Sequence, residues 1–124
     1  MVVHERPLSP HATIYRWPLN AIMSILHRVT GIGLTVGAVL AVWWLLAASI
    51  SAEYFHTVDG ILTSFLGDLV LTGSLAALWY HCCNGIRHLV WDSGHGFEDS
   101  NVRISGWAGL AAAFILTAGT LVVL

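Results

Sequence analysis

The segment Trp79-Tyr80-His81-Cys82-Cys83-Asn84-Gly85-Ile86-Arg87-His88-Leu89-Val90-Trp91-Asp92 sets two histidines, two cysteines, an arginine and an aspartate at the end of an otherwise apolar stretch. Read as a helix, it places His81 six residues before Arg87, about 9 Å deeper along the axis. An imidazole at that depth needs either a hydrogen-bond partner, as a satisfied core histidine, or an iron to bind. His81 and His88 are seven residues apart and share one face, separated by about 10.5 Å along the helix. They cannot both be axial ligands of one iron, because two axial nitrogens stand only about twice the ~2.0 Å metal–nitrogen bond apart. One can hold an iron while the other reaches the polar, carboxylate-bearing edge of a macrocycle; the second axial ligand must then come from another helix or another chain.

The adjacent Cys82 and Cys83 do not suit a disulfide within one helix. As metal ligands they would point about 100° apart, so both read as structural residues. A second cluster, Ser24-Ile25-Leu26-His27-Arg28, brings Ser24, His27 and Arg28 onto one helical side through i,i+3 and i,i+4 spacing. Its plain reading is a helix turn with a boundary arginine. Asp68, Arg87 and Asp92 have a plain reading too, at membrane edges where long side chains extend toward water.

These clusters sit in a chain of 124 residues that is 56% hydrophobic and 10% charged. A soluble domain carries about 25% charged residues. The chain has no lysine; its cations are Arg6, Arg16, Arg28, Arg87 and Arg103, and the net charge of -2 supplies no basic footprint for nucleic acid. Residues 1–20 form a polar arm punctuated by Pro7, Pro10 and Pro18, irregular or extended. The expected organisation is one membrane-anchor domain over 1–124, with a first span at about 21–50, a second at about 61–92 and a third at about 104–124. The uncharged runs are long enough to cross a ~30 Å hydrocarbon layer, against the alternative of buried helices in a soluble protein. Residues 51–60 and 93–103 read as short polar connections.

The fold class is therefore all-α integral membrane, with three transmembrane helices and a polar N-terminal arm. All five arginines fall in the arm, at the start of the first span or around the second connection. The excess-of-cations rule puts those segments, and the N-terminus, in the cytoplasm. The Ser24–Arg28 cluster and the His88–Asp92 end then meet at the same membrane face. The N-terminus lacks signal-peptide or transit-peptide character, which favours a bacterial cytoplasmic membrane over the mitochondrial inner membrane.

Arg6 to Gly31, RPLSPHATIYRWPLNAIMSILHRVTG, together with His81 to Asp92, HCCNGIRHLVWD, closely resembles the cytochrome b membrane-anchor subunit (the large anchor) of succinate dehydrogenase, respiratory complex II. The resemblance runs through three motifs in order and covers essentially the whole chain. It implies packing with a small anchor subunit into a helical bundle around haem b. It implies that His81 is one axial haem ligand, the small anchor subunit supplying the other. His27, Arg28 and His88 match the neighbourhood of the haem propionates. Ser24, Arg28 and Asp92 match the ubiquinone pocket, Asp92 being linked to that arginine and to proton delivery. Arg87 acquires no role, and Cys82-Cys83 is ordinary variation.

The chemistry suits these residues: imidazole ligates haem iron, arginine pairs with propionate, and a quinone under reduction needs hydrogen-bond donors and a proton route. The implied function is that of a haem b- and ubiquinone-binding subunit of succinate:quinone oxidoreductase. It does not itself bind succinate; it anchors the iron–sulfur subunit and, through it, the flavoprotein. The alternatives are the anchor of a quinol:fumarate reductase, a small three-span transporter or metal-handling protein using His81, Cys82 and Cys83, or a structural anchor without haem.

Overall fold

The computed structural model describes residues 14–123. Most of the proline-rich arm, including the Arg6–His11 portion of the first motif, lies outside the described residues. Four helices follow in order: α1, Leu19–Ile50; α2, Ala52–Leu62; α3, Phe65–Asp92; and α4, Asp99–Val123. Among the described residues the only other structure is turn and bend.

Pro18 starts α1, where a residue without an N–H costs nothing because the first helical amides have no intrahelical partner. Its carbonyl accepts from the Ala21 amide at 3.0 Å. The helix turns Met23, His27, Thr30, Leu34, Gly37, Leu40, Trp44 and Ala47 inward, a spacing of three and four residues that draws one stripe along it. The remaining faces carry exposed Ile32, Val36, Val39, Leu45 and Leu46.

The stretch 51–60, expected as a polar connection, is helical. Ser51 caps α2, its hydroxyl accepting from the Tyr54 amide at 3.1 Å, and Glu53 lies in the first turn, where a carboxylate is favoured by the helix dipole. Val58 and Leu62 pack with Ala47 against Leu40, Trp43, Trp44 and Leu71. Trp43 donates its indole N–H to the Tyr54 hydroxyl at 2.8 Å, and the rings of Trp44 and Phe55 stack. The second long helix thus begins at Phe65, not near 61, after a bend of 75° from α2. Ser64 caps it through the Gly67 amide at 3.2 Å, and Gly67 is required there: a Cβ would run into the Leu62 carbonyl oxygen. The last helix also starts earlier than the expected 104, at Asp99.

Between α3 and α4 the chain turns through Gly94 and Gly96, both at positive φ, where glycine alone is free of Cβ strain. The Trp91 indole N–H donates to the Gly96 carbonyl at 3.2 Å and holds this turn against the helix it leaves. The start of α1, the end of α3 and the start of α4 therefore lie at one end of the bundle. Farther along, Trp79 donates to Thr120 at 3.0 Å, and Gly37 lets Ser74 approach α1.

By length and composition α1 and α4 are each sufficient to cross a membrane, and α2 with α3 passes only as a bent pair, giving two spans or up to three. Asp68, His81, Asn84, Arg87, His88 and Asp92 make α3 less apolar than α1 and α4. Only six hydrophobic residues are buried among the described residues, so most of the apolar surface is left to lipid or to partner helices.

Candidate functional site

At the end of the bundle where α1 begins and α3 ends, an open cavity of about 580 Å³ is lined by Ser24, His27 and Arg28 from α1 and by His81, His88 and Asp92 from α3. All six residues singled out in the sequence thus border one space. A wider groove of about 790 Å³ runs along α4 past Arg103 and Trp107, but brings no histidine and no second helix to it.

The three imidazoles form a ladder. His27 lies between the other two, stacked on His81 with centroids 3.9 Å apart and planes 13° from parallel, and tilted against His88 at 5.1 Å. The seven-residue spacing put His81 and His88 on one face, and the structure fills the gap between them with a ring from the neighbouring helix. His88 meets the edge of Trp91 at 5.2 Å and lies 3.5 Å from the Asn84 amide nitrogen.

His81 is tied to the backbone of α1. Its Nδ1 stands 3.1 Å from the His27 carbonyl oxygen and 3.3 Å from the Thr30 hydroxyl. A carbonyl can only accept, so Nδ1 carries the hydrogen and Nε2 keeps its lone pair. Gly31 gives the ring room, since a Cβ there would stand 3.1 Å from His81 Cε1. Nδ1 of His27 is buried without a hydrogen-bond partner in this structure, an unusual condition for a polar atom in a packed site. Along the same cavity wall, the Arg28 guanidinium donates to the Ser24 hydroxyl at 3.4 Å. Asp92 lines the same cavity as Arg28.

One expectation is corrected by burial. Arg87 does not extend toward water at a membrane edge; it is only 7% exposed. Its Nε donates to Ser105 at 3.1 Å. One terminal nitrogen donates to Asn84 Oδ1 at 3.3 Å and touches the Met23 sulfur, and the other donates to Asn20 Oδ1 at 3.1 Å and to the Val102 carbonyl at 2.9 Å. Its guanidinium also lies 4.0 Å over the Trp91 ring, a cation–π contact. The sequence held a signal for this node: Asn20, Asn84 and Ser105 are isolated polar residues in apolar surroundings, and Asn84 and Arg87 are three apart. Thr30 and Tyr80 were passed over as well. The Tyr80 hydroxyl donates to the Met23 carbonyl at 2.9 Å and, with Thr30, joins α3 to α1 on either side of His81. Cys82 is exposed and Cys83 half-buried, and among the described residues no three His, Cys, Asp or Glu side chains converge as a metal site.

A cavity bordered by histidines of two helices, at one end of long apolar helices, matches what a comparison with known proteins finds. The family model "Succinate dehydrogenase/Fumarate reductase transmembrane subunit" matches residues 3–120. The chain belongs to this family. The succinate dehydrogenase cytochrome b556 subunit of Paracoccus denitrificans is 48% identical over 119 residues, covering 96% of this chain and 92% of that protein. The cytochrome b560 subunit of Reclinomonas americana is 36% identical, covering 91% of this chain and 82% of its own length. The mitochondrial cytochrome b560 subunit of Sus scrofa is 39% identical, with coverage of 93% and 69%. As a member of this transmembrane family, the chain sets its histidine ladder among membrane helices.

Proposed function

We propose that this chain is the haem b- and ubiquinone-binding anchor of a succinate:quinone oxidoreductase, passing electrons from an iron–sulfur subunit to quinone. The observation that carries this reading is the meeting of Ser24, His27, Arg28, His81, His88 and Asp92 around one open cavity. The residues suit a haem on grounds internal to the structure. His81 has Nδ1 committed to α1, which leaves Nε2 for iron, and His27 has a buried ring nitrogen in need of a partner. His81 would be one axial ligand, and the small anchor subunit would supply the other. His27, Arg28 and His88 would face the propionates. A haem b bound there would supply a one-electron store between the iron–sulfur centres and the quinone.

Ser24 and Arg28 offer an O–H and guanidinium N–H groups at the cavity rim, donors suited to a quinone carbonyl. Asp92, exposed at the same rim, is placed to pass protons from water to that oxygen. The three long helices would cross a bacterial cytoplasmic membrane as three spans. The arm, the cavity and the α3–α4 turn would be cytoplasmic, where the iron–sulfur subunit and, through it, the flavoprotein can dock. The same parts can serve a quinol:fumarate reductase running in reverse; the names of the relatives favour the succinate direction.

Ser24→Ala and Arg28→Leu test the quinone assignment. Each removes one donor from the site, and the loss of such a bond, ~1.5–3 kcal/mol for a charged donor, corresponds to a ~10- to 100-fold fall in succinate-driven quinone reduction for Arg28→Leu. Reduction of a soluble dye that takes electrons upstream stays at the parent rate. Parallel loss of both activities would show an assembly defect and remove the support for a quinone site here.

A further inference from the structure

We propose that Thr30 is a positioning residue for His81, its hydroxyl fixing the tautomer and the electron-donating strength of that imidazole. The inference rests on the reading of His81 as a haem ligand. Thr30 lies on the α1 stripe that faces α3, three residues after His27 and next to Gly31. Its hydroxyl has a single hydrogen, and that hydrogen is spoken for: the Leu26 carbonyl lies 2.8 Å away and the His27 carbonyl 2.9 Å. Toward His81 Nδ1, at 3.3 Å, the Thr30 oxygen can therefore only accept. The second neighbour of Nδ1 is the His27 carbonyl at 3.1 Å, also an acceptor only. With the Thr30 hydrogen directed to Leu26, a lone pair of the His27 oxygen stays open to the imidazole. Both contacts demand the same tautomer, hydrogen on Nδ1 and lone pair on Nε2.

The effect on a ligated metal follows from ordinary second-neighbour chemistry. An acceptor on Nδ1–H pulls the proton outward, makes the ring more imidazolate-like and strengthens donation from Nε2, which favours the oxidised metal. Gly31 completes the socket, because a Cβ there would press on His81 Cε1 at 3.1 Å and turn the ring out of line with both acceptors. Most helical threonines bond their own preceding turn and do nothing further. This one has a histidine of another helix within reach of the same oxygen.

The assembled, membrane-extracted complex carrying Thr30→Val, Thr30→Ala or Thr30→Ser is compared with the parent by potentiometric titration of the b-type band and by low-temperature EPR of the ferric haem. Thr30→Val keeps the shape and loses the acceptor, so the midpoint potential rises and the low-spin g-values move. Thr30→Ala shifts the potential in the same direction, and Thr30→Ser, which keeps the oxygen, stays at the parent values. A hydroxyl-free variant that retains haem at the parent potential and g-values overturns the proposal. So does a Thr30→Ser that shifts as far as Thr30→Val, since packing of the methyl would then be the cause. His81→Ala separates the two levels. If it leaves the parent spectrum intact, the ligand assignment itself fails; if it abolishes that spectrum while the Thr30 variants are silent, only the role of Thr30 fails.

Discussion

The guanidinium of Arg87 reaches all three long helices, donating to Asn20 of α1, to Asn84 within α3, and to Ser105 and the Val102 carbonyl of α4. A charge this deep is costly in an apolar setting unless its donors are satisfied, and here oxygen dipoles and the Trp91 face satisfy it. Arg87→Met would take the donor from the buried Asn84 side-chain oxygen, a loss of ~1–3 kcal/mol, and would remove the ties to α1 and α4. The expected outcome is a lower melting temperature of the assembled complex and a smaller yield after detergent extraction. Arg87→Lys restores little, because a single ammonium cannot reproduce the fork that spans three helices. A parent-like melting curve for Arg87→Met would contradict the bracing role.

At this scale the sequence was partly legible. Ser24, His27, Arg28, His81 and His88 stand out by residue type and spacing, Asp92 enters the site through the family resemblance, and all six line one cavity. The stacking of His27 on His81 and the contact between His81 and Thr30 depend on the rotation of α1 against α3, which no spacing within either helix reports.

Among the elements, α2 is the one that spacing should have revealed and polarity concealed. Glu53, His56, Asp59 and Gly60 made 51–60 look like a connection. Ser51 as a cap, Glu53 in the first turn, and Phe55, Val58 and Leu62 at three- and four-residue intervals are nevertheless ordinary helix signals. The early start of α4 at Asp99 has a similar cause: an acidic first turn favours a helix N-terminus even though it ends the uncharged run. The position of α2 bears on topology. It caps one end of the bundle through Val58, Leu62 and Ala47, and the histidine cavity and the Gly94–Gly96 turn occupy the other. In the proposed orientation, with the cavity on the cytoplasmic side, α2 would lie on the outer face. In a background lacking Cys82 and Cys83, Thr57→Cys, at an exposed position, should react with an impermeant thiol reagent applied from outside. His95→Cys in the α3–α4 turn should react only after the cytoplasmic side is opened. The reverse pattern would place the cavity on the wrong side for an iron–sulfur partner.

As a whole molecule the chain is a scaffold that leaves most of its apolar surface uncovered, with exposed Ile32, Val36, Phe114, Ile115 and Val122 along α1 and α4. Such surfaces suit lipid or partner helices, in keeping with its membership of a transmembrane-subunit family. Composition carried the membrane character, since 56% hydrophobic and 10% charged residues leave little room for a soluble domain, but not the number of helices, which is four among the described residues. What a single chain cannot specify is the far side of the cavity, which in the proposed complex belongs to another subunit.

In the proposed haem site His81, and not His88, would hold the iron. His81 is the deeper of the two, with Nδ1 anchored to α1, whereas His88 lies toward the wet end beside Trp91. The direct measurement is the optical and EPR spectrum of the assembled complex carrying His81→Ala or His88→Ala. His88→Ala should keep a six-coordinate b-type spectrum, with at most a shifted potential; His81→Ala should lose that coordination through haem loss or a replacement ligand. An unaltered bis-histidine spectrum in His81→Ala together with its loss in His88→Ala would reverse the assignment and move the haem about two helical turns toward the cavity mouth.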